Sequence, residues 1–325
     1  MKKNKAFSLV ELSVVILIIG ILVAGVTQSG RLIRQIKLST ARSITASSDV
    51  ASIRDVTAWF EASTDGIFVD VNGVTDVENN AVIKTWNDVN PQKPKGDRPV
   101  LKVSTATGDE ETKPKYITNG INGIPSVYFD GTDYIFSTDV PTMPLISGDK
   151  TYSMFAVFRA DLGKVENKSI ITQIGDGGLQ DNKFVSIGYI GTAGNKGKPG
   201  FITNNSTASS NWIRDVGIND QTDYIVGVTA DLTPTTIGVD NAKVFINSID
   251  PLITDGTKSQ FPSAGVYATT SIVADKFIIG ASTKTETADF FKGMISEVII
   301  FDRKLKAEEA VSVMKYLRKK YNILN

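Results

Sequence analysis

Residues 7–26 carry Leu, Ile, Val or Phe at fourteen of twenty positions, and Glu11 is the one ionisable side chain among them. Some twenty residues rising ~1.5 Å each match a hydrocarbon core of ~30 Å. Each apolar residue contributes about −0.3 to −0.6 kcal/mol to insertion, against about +3 kcal/mol for the carboxylate, so the sum favours a membrane helix. A cleaved secretory signal would have a shorter apolar core with a small-residue cleavage site behind it, and Ala24-Gly25-Val26 is a poor one. From residue 27 to about 54 there is no proline, and Leu32, Ile33, Ile36, Ile44 and Ile53 recur among polar residues as a loose helical stripe. Joined together, the two stretches predict one helix of roughly 45 residues, or ~70 Å, half in lipid and half packed on a domain. The Ser-rich run 39–52 competes for backbone hydrogen bonds and leaves a flexible stalk as the alternative there.

Beyond Trp59 the period changes. Segments 59–62, 67–71, 126–129, 152–158, 184–190, 224–230, 243–246 and 294–301 are short, rich in β-branched or aromatic residues, and bounded by Asp, Asn, Gly and Thr clusters. Several are apolar on both faces, as strands inside two packed sheets are. No repeat of ~20–50 residues and no long helical pattern interrupts them, which favours an all-β sandwich over a propeller, solenoid or α/β fold. A short helix closes the chain. Ala310, Met314, Leu317 and Tyr321 line one side of it, Glu308 and Glu309 sit in its first turn, and Lys315, Arg318, Lys319 and Lys320 lie near its end. Those charges complement the helix dipole and read as a solvated face.

Composition narrows the function. The 325 residues suffice for a large core, expected as one big β domain. Lys and Arg number 35 and so do Asp and Glu, with no basic stripe interleaved with aromatics, so nucleic acid is not an expected partner. The absence of Cys and His excludes thiol nucleophiles, His-based triads, disulfides and most zinc sites, and leaves the compartment undecided. Charge does not settle orientation either. Lys2, Lys3, Lys5 and the initiator amine precede the apolar run, while Arg31, Arg34, Lys37 and Arg42 follow it.

The stretch Lys5-Ala6-Phe7-Ser8-Leu9-Val10-Glu11 resembles the processing site of type IV prepilins and pseudopilins: a short basic leader, a small residue, Phe, and Glu at the fifth mature position. One departure is Ala6, where the family usually has Gly. The resemblance implies cleavage between Ala6 and Phe7 by a prepilin peptidase, methylation of the new Phe7 amine, and assembly with other pilin or pseudopilin subunits. It also implies a cytoplasmic leader, a single pass through a bacterial inner membrane with the bulk of the chain outside it, and later residence in a periplasmic or cell-surface filament. Glu11 lies four residues from Phe7, so the carboxylate and the amine share a helix face. In the family this carboxylate meets the terminal amine of a neighbouring subunit, which makes tolerable two charges that each cost several kcal/mol to bury alone. The alternative is a Glu11 merely tolerated at the headgroup level.

A second resemblance covers the rest. "AWFEAS" at 58–63, "TWNDV" at 85–89, "NGINGIPSVYFDGTDYI" at 119–135 and "FKGMISEVIIFDRKLKAEEAVSVMKYLRKKYNI" at 291–323 resemble, in order, the concanavalin A-like, laminin-G-like jelly-roll family. "FDGTD" supplies an Asp-Gly turn, whereas "VFINSID" carries Asn247-Ser248 in place of the Asn-Gly hairpin turn. The expected fold is thus a long N-terminal transmembrane helix followed by an all-β jelly-roll sandwich with a short C-terminal helix. Its expected divisions are a cleaved leader 1–6, a membrane and assembly helix 7–57, and a laminin-G-like domain 58–325.

No enzyme is expected. Jelly-roll glycoside hydrolases set paired carboxylates about 5 to 9 Å apart across a sugar. The nearest candidates, Glu297 and Asp302, are five residues apart on one strand and point to opposite faces, so Glu297 reads as structural. "GDGG" at 175–178 reads as a hairpin turn, because no helix pattern or Gly-Lys-Ser/Thr follows it to make a phosphate cradle. No cofactor is expected beyond what the resemblance implies: laminin-G-like domains often hold Ca²⁺ at a rim of Asp and carbonyl oxygens, and Asp130, Asp133, Asp176 and Asp181 lie in loops. Trp59 and Trp86 fall in family core motifs. Trp212 follows the polar run 204–211, where its ring either stacks on a sugar or packs within the loop. The expected function is a minor pilin or pseudopilin displaying a lectin-like sandwich toward a glycan or surface protein. The alternatives are a type II secretion-like pseudopilin with a structural β domain and, more distantly, a tethered glycoside hydrolase.

Overall fold

A computed structural model describes residues 9–103, 113–137, 146–147, 151–161, 169–175, 183–190, 198–205, 209–214, 219–231, 233, 242–251, 259–260, 273–274, 276–281 and 290–323. Helix α1 spans Leu9–Ala46, 38 residues, or ~57 Å. It ends earlier than the stripe of apolar residues predicts. The serines and threonines of its last turns do not melt it, because their hydroxyls bond back to helix carbonyls: Thr45 Oγ1 to Ala41 at 3.0 Å and Ser47 Oγ to Ser43 at 2.8 Å. A 3-10 turn over Asp49–Ser52 follows, and Asp55, at φ 67°, redirects the chain into the first strand.

Two antiparallel sheets make the sandwich. In the first, the strands run in the order Ala242–Ile246, Asp223–Asp231, Thr151–Ala160, Lys292–Phe301, Ser126–Asp130 and Lys115–Ile117, and Val56–Glu61 also pairs with Lys292–Phe301. The second has ten described strands, in the order Ser259–Gln260, Ser209–Arg214, Lys198–Asn205, Lys183–Ile190, Ser169–Gly175, Lys276–Ile279, Ile135–Ser137, Val100–Val103, Ile83–Asn87 and Phe68–Asp70. All eight segments predicted as strands overlap strands, with only Ala62, Ile67 and Val71 falling just outside them. The Asp-Gly turn of "FDGTD", with Gly131 at φ 100°, links a strand of one sheet to a strand of the other rather than closing a hairpin.

Helix α2, Ala307–Tyr321, lies on the outer face of the first sheet. Glu309 fixes its start, accepting from the Lys306 backbone N–H at 2.9 Å and gripped by the Arg303 guanidinium at 2.7 Å through both nitrogens. The central strands of the first sheet are therefore buried on both faces for two different reasons. Phe60, Val298 and Ile300 point into the core between the sheets with Phe129, Phe158 and Phe277, while Trp59, Ile299 and Phe301 point the other way, beneath Met314, Leu317 and Tyr321. The double apolar face comes from a third layer of helix, not only from a second sheet.

Candidate functional site

The N-terminal part of α1 is bare. Leu9, Ile16, Leu22 and Val26 are 84%, 62%, 62% and 72% exposed, and no part of the described domain covers them. Glu11 stands exposed near the start of this stretch. Ala6 and Phe7, the predicted processing positions, lie outside the described residues.

Some fifteen residues past Val26 the same helix is seated on the sandwich. Ala41 is buried against the cluster beneath α2, Lys37 Nζ donates to the Asn122 carbonyl at 3.2 Å, and Arg42 Nε donates to the Ser63 carbonyl at 2.7 Å while its guanidinium pairs with Asp65. Deeper in the seam lies a polar cluster that sequence reasoning missed. Lys320, assigned from its charge to a solvated face, is instead fully buried, and all three of its ammonium hydrogens are used. They go to Glu61 Oε2 at 2.7 Å, Glu297 Oε2 at 2.8 Å and the Tyr316 hydroxyl at 3.3 Å. Glu297 also accepts from Trp59 Nε1 at 2.7 Å, from Tyr316 at 2.7 Å and from Tyr321 at 2.9 Å. Glu61 accepts from the Ser63 N–H at 2.9 Å, from the Ser63 hydroxyl at 2.5 Å, and from the Thr64 N–H at 2.7 Å. Thr45 of α1 reaches the Tyr316 hydroxyl at 3.2 Å, which ties the long helix into this network.

Burial alone would push the Glu61 carboxyl up, but the Lys320 ammonium and the surrounding donors hold it down at about 2. For Lys320 burial works toward loss of the proton, and the Glu297 and Glu61 carboxylates more than reverse it, so its pKa is raised. Burial and the adjacent carboxylates push Tyr316 well above the ordinary phenol range. The cluster is a saturated internal clamp. Glu61 and Glu297 are cross-strand partners, yet both are fully buried and no sugar can reach them. Asp302 lies just past the strand that carries Glu297 and takes no part, in line with the separation expected from their spacing.

Apart from this clamp, Asp130 and Asp133 are brought together by their turn. Asp133 is 2% exposed, and its Oδ2 accepts from the Asp130 N–H at 3.1 Å while Oδ1 has no hydrogen-bond partner. Burial, reinforced by the Asp130 carboxylate, pushes Asp133 up to about 8. Asp176 and Asp181 lie outside the described residues. Among the described residues no three carboxylates converge. Trp212 is on the strand Ser209–Arg214, paired in register with Phe201, so Asn204, Asn205 and Ser209 to Asn211 of the polar run before it lie on paired strands, and residues 206–208 lie outside the described residues. "GDGG" begins at the end of the strand Ser169–Gly175, and residues 176–178 lie outside the described residues.

Residues 1–27 match the family model described as the prokaryotic N-terminal methylation motif. No curated protein matches the chain. Among solved structures the chain is similar to the binding domain of botulinum neurotoxin serotype G, with 11% identity over 81% of this chain and 51% of that one, at a TM-score of 0.50. It is also similar to a Trypanosoma rangeli sialidase in complex with a difluoro-nononic acid, with 14% identity over 82% of this chain and 33% of that one, at 0.49. Domain 4 of AbnA, an extracellular arabinanase of Geobacillus stearothermophilus, gives 13% identity over 80% of this chain and 98% of that one, at 0.48. The chain thus spans about a third of the length of the sialidase. At 11% identity the likeness to the neurotoxin domain is one of fold alone. A pilin-type methylation motif and an apolar N-terminal helix precede a β-sandwich in this one chain.

Proposed function

We propose that the chain is a minor pilin or pseudopilin whose laminin-G-like, concanavalin A-like sandwich is displayed on a type IV filament for adhesion or recognition, with a glycan or a surface protein as ligand and no catalytic role. One observation carries the reading: α1 is a single helix that is bare where a bilayer or neighbouring helices would cover it and clamped to the sandwich where it leaves them. Such a connection transmits the position of a filament core to the displayed domain. Because α2 and the end of α1 occupy the outer face of the first sheet, the second sheet and the loops away from α1 are the surfaces turned toward a ligand. Trp212 lies on that second sheet and is the residue assigned to ligand contact. Before assembly the chain resides in the inner membrane, where a prepilin peptidase cuts between Ala6 and Phe7 and the Phe7 amine is methylated. Calcium belongs to this reading as an addition at a rim of Asp and carbonyl oxygens drawn from the loops of Asp130, Asp133, Asp176 and Asp181.

The test has two arms. Sheared filaments from cells producing the protein should contain a form whose mass begins at methylated Phe7, and the same filaments should bind members of a glycan array or a host-surface extract. Filaments that contain the protein and bind nothing would transfer the reading to a structural pseudopilin. Release of reducing sugar from the bound glycans would overturn the non-enzymatic assignment.

A further inference from the structure

Four cations follow the apolar run of α1, on the side where the positive-inside tendency disfavours them, and two already have work. Lys37 and Arg42 bind carbonyls of the domain. Arg31 and Arg34 have no hydrogen bond or ion pair to any described residue. They stand one turn apart on α1 and, with Gln35, form one wall of a groove of about 250 Å³ whose other wall is Tyr116, Thr118 and Gly123. Cα of Arg31 lies roughly 7 Å, and that of Arg34 roughly 12 Å, beyond Val26, and the headgroup layer is about 5 to 7 Å deep. Helix side chains lean toward the N-terminus, which here means toward the bilayer, and Arg readily extends its head to the interface. Both guanidinium groups therefore reach the phosphate level at the mouth of the groove.

We propose that this groove binds the phosphodiester headgroup of an anionic phospholipid, so that the sandwich is held at a fixed height and rotation over the membrane before the subunit enters a filament. The inference rests on α1 spanning the membrane. Guanidinium is the side chain suited to phosphate oxygens, since its planar fork gives two parallel donors. Gln35 adds an amide at the same wall, which suits the hydroxyls of a glycerol headgroup. A carboxylate of a neighbouring subunit is the other anion that would fit the charge, but the groove opens at the height of lipid phosphates.

The full chain is reconstituted in nanodiscs of phosphatidylcholine alone and of phosphatidylcholine with a minor share of phosphatidylglycerol, and the lipids retained on release are counted by native mass spectrometry. Wild type should retain phosphatidylglycerol selectively. The double variant Arg31→Gln/Arg34→Gln should lose that selectivity by about 30-fold, the effect of two interfacial cations. Gln35→Trp keeps both charges but fills the groove, and should lose it as well. Equal retention by wild type and the double variant overturns the site, all the more if the double variant is depleted from filaments, because the arginines then serve a neighbouring subunit. Retention unchanged in Gln35→Trp overturns the groove and leaves only surface attraction. Failure of every form to insert into phosphatidylcholine nanodiscs overturns the membrane reading itself, an outcome distinct from the others.

Discussion

Lys320 stands where the helical period calls for a core residue, three positions past Leu317 and seven past Val313. Its burial was legible from that period, together with two glutamates, Glu61 and Glu297, placed inside apolar strands; charge counting at a helix end hid it. Removing the cation should be costly. Lys320→Met leaves two carboxyls buried without their partner, and a loss of about 3 to 5 kcal/mol in unfolding free energy is expected near neutral pH, read by denaturant titration with tryptophan fluorescence as the probe. The pH dependence follows from the sign of the shift. With its folded pKa lowered to about 2, Glu61 contributes stability that is complete above its ordinary value of 4.5 and is lost as pH falls through 2. In Lys320→Met that dependence should reverse, with acid relieving the damage. Asp133 behaves oppositely in the native protein. Its folded pKa of about 8 gives a contribution fully present below the ordinary 3.8 and lost as pH rises through 8. Asp133→Asn should therefore flatten the fall in stability between about pH 5 and 8.5 and leave the variant the more stable one at the upper end, as measured by unfolding midpoints across that range. No sequence signal marks Asp133 as buried, because Asp in an Asp-Gly turn is ordinarily at the surface and only the crossing between sheets encloses it.

Among the elements, the strands of the first sheet were readable because they bury both faces and so carry continuous apolar runs, as in Thr151–Ala160 and Lys292–Phe301. The hairpin of Lys198–Asn205 and Ser209–Arg214 was not, since its Thr, Asn and Ser positions show no alternation and its pairing rests on backbone hydrogen bonds that sequence does not display. The turn of "VFINSID" shows how chemistry substitutes for a glycine: Asn247 takes φ 52°, and its Oδ1 accepts the Ile225 N–H at 2.7 Å. The seat of α1 was half legible. Its helical period was visible, but the Ser-rich composition argued for a stalk, and only the back-bonded hydroxyls and the contact of Thr45 with Tyr316 explain why it stays helical to Ala46. Ala41 is the tightest point of that seat, 1% exposed against the cluster under α2. Ala41→Phe should overpack it by about 1 to 3 kcal/mol. Limited trypsin digestion reads the result as faster cutting at Arg42 and Arg54 with the sandwich core still resistant. An unchanged rate would mean that the seat is held elsewhere, by Lys37 and Arg42.

On the scale of the whole molecule, the bare half of α1 and its clamped half make opposite demands on Glu11, and those demands separate a filament subunit from a sandwich that is merely anchored. Inserted alone, the helix carries a carboxylate that opposes insertion by up to ~3 kcal/mol, so Glu11→Ala should enter the membrane as well as wild type or better. An anchored domain would then be unimpaired, because the contacts that seat the sandwich on α1 lie far from Glu11, in Lys37, the Arg42 contacts and the Lys320 clamp, and the proposed headgroup site at Arg31 and Arg34 is equally remote from it. A filament subunit would fail at the next step. When the bare helix is packed among its neighbours the Phe7 amine is taken from water, and without the carboxylate it meets no opposite charge, a loss of about 3 to 5 kcal/mol for a buried pair. The rigid clamp sharpens the consequence, since a helix that cannot swivel against its domain cannot seek a substitute partner without moving the whole sandwich. Wild type and Glu11→Ala are therefore compared at equal membrane levels and equal leader removal, and the protein in sheared filaments is quantified. Depletion of the variant by two orders of magnitude or more is expected from that loss, at about tenfold for every 1.4 kcal/mol. Equal incorporation would remove the assembly role of Glu11 and leave the anchored sandwich as the better account of the chain.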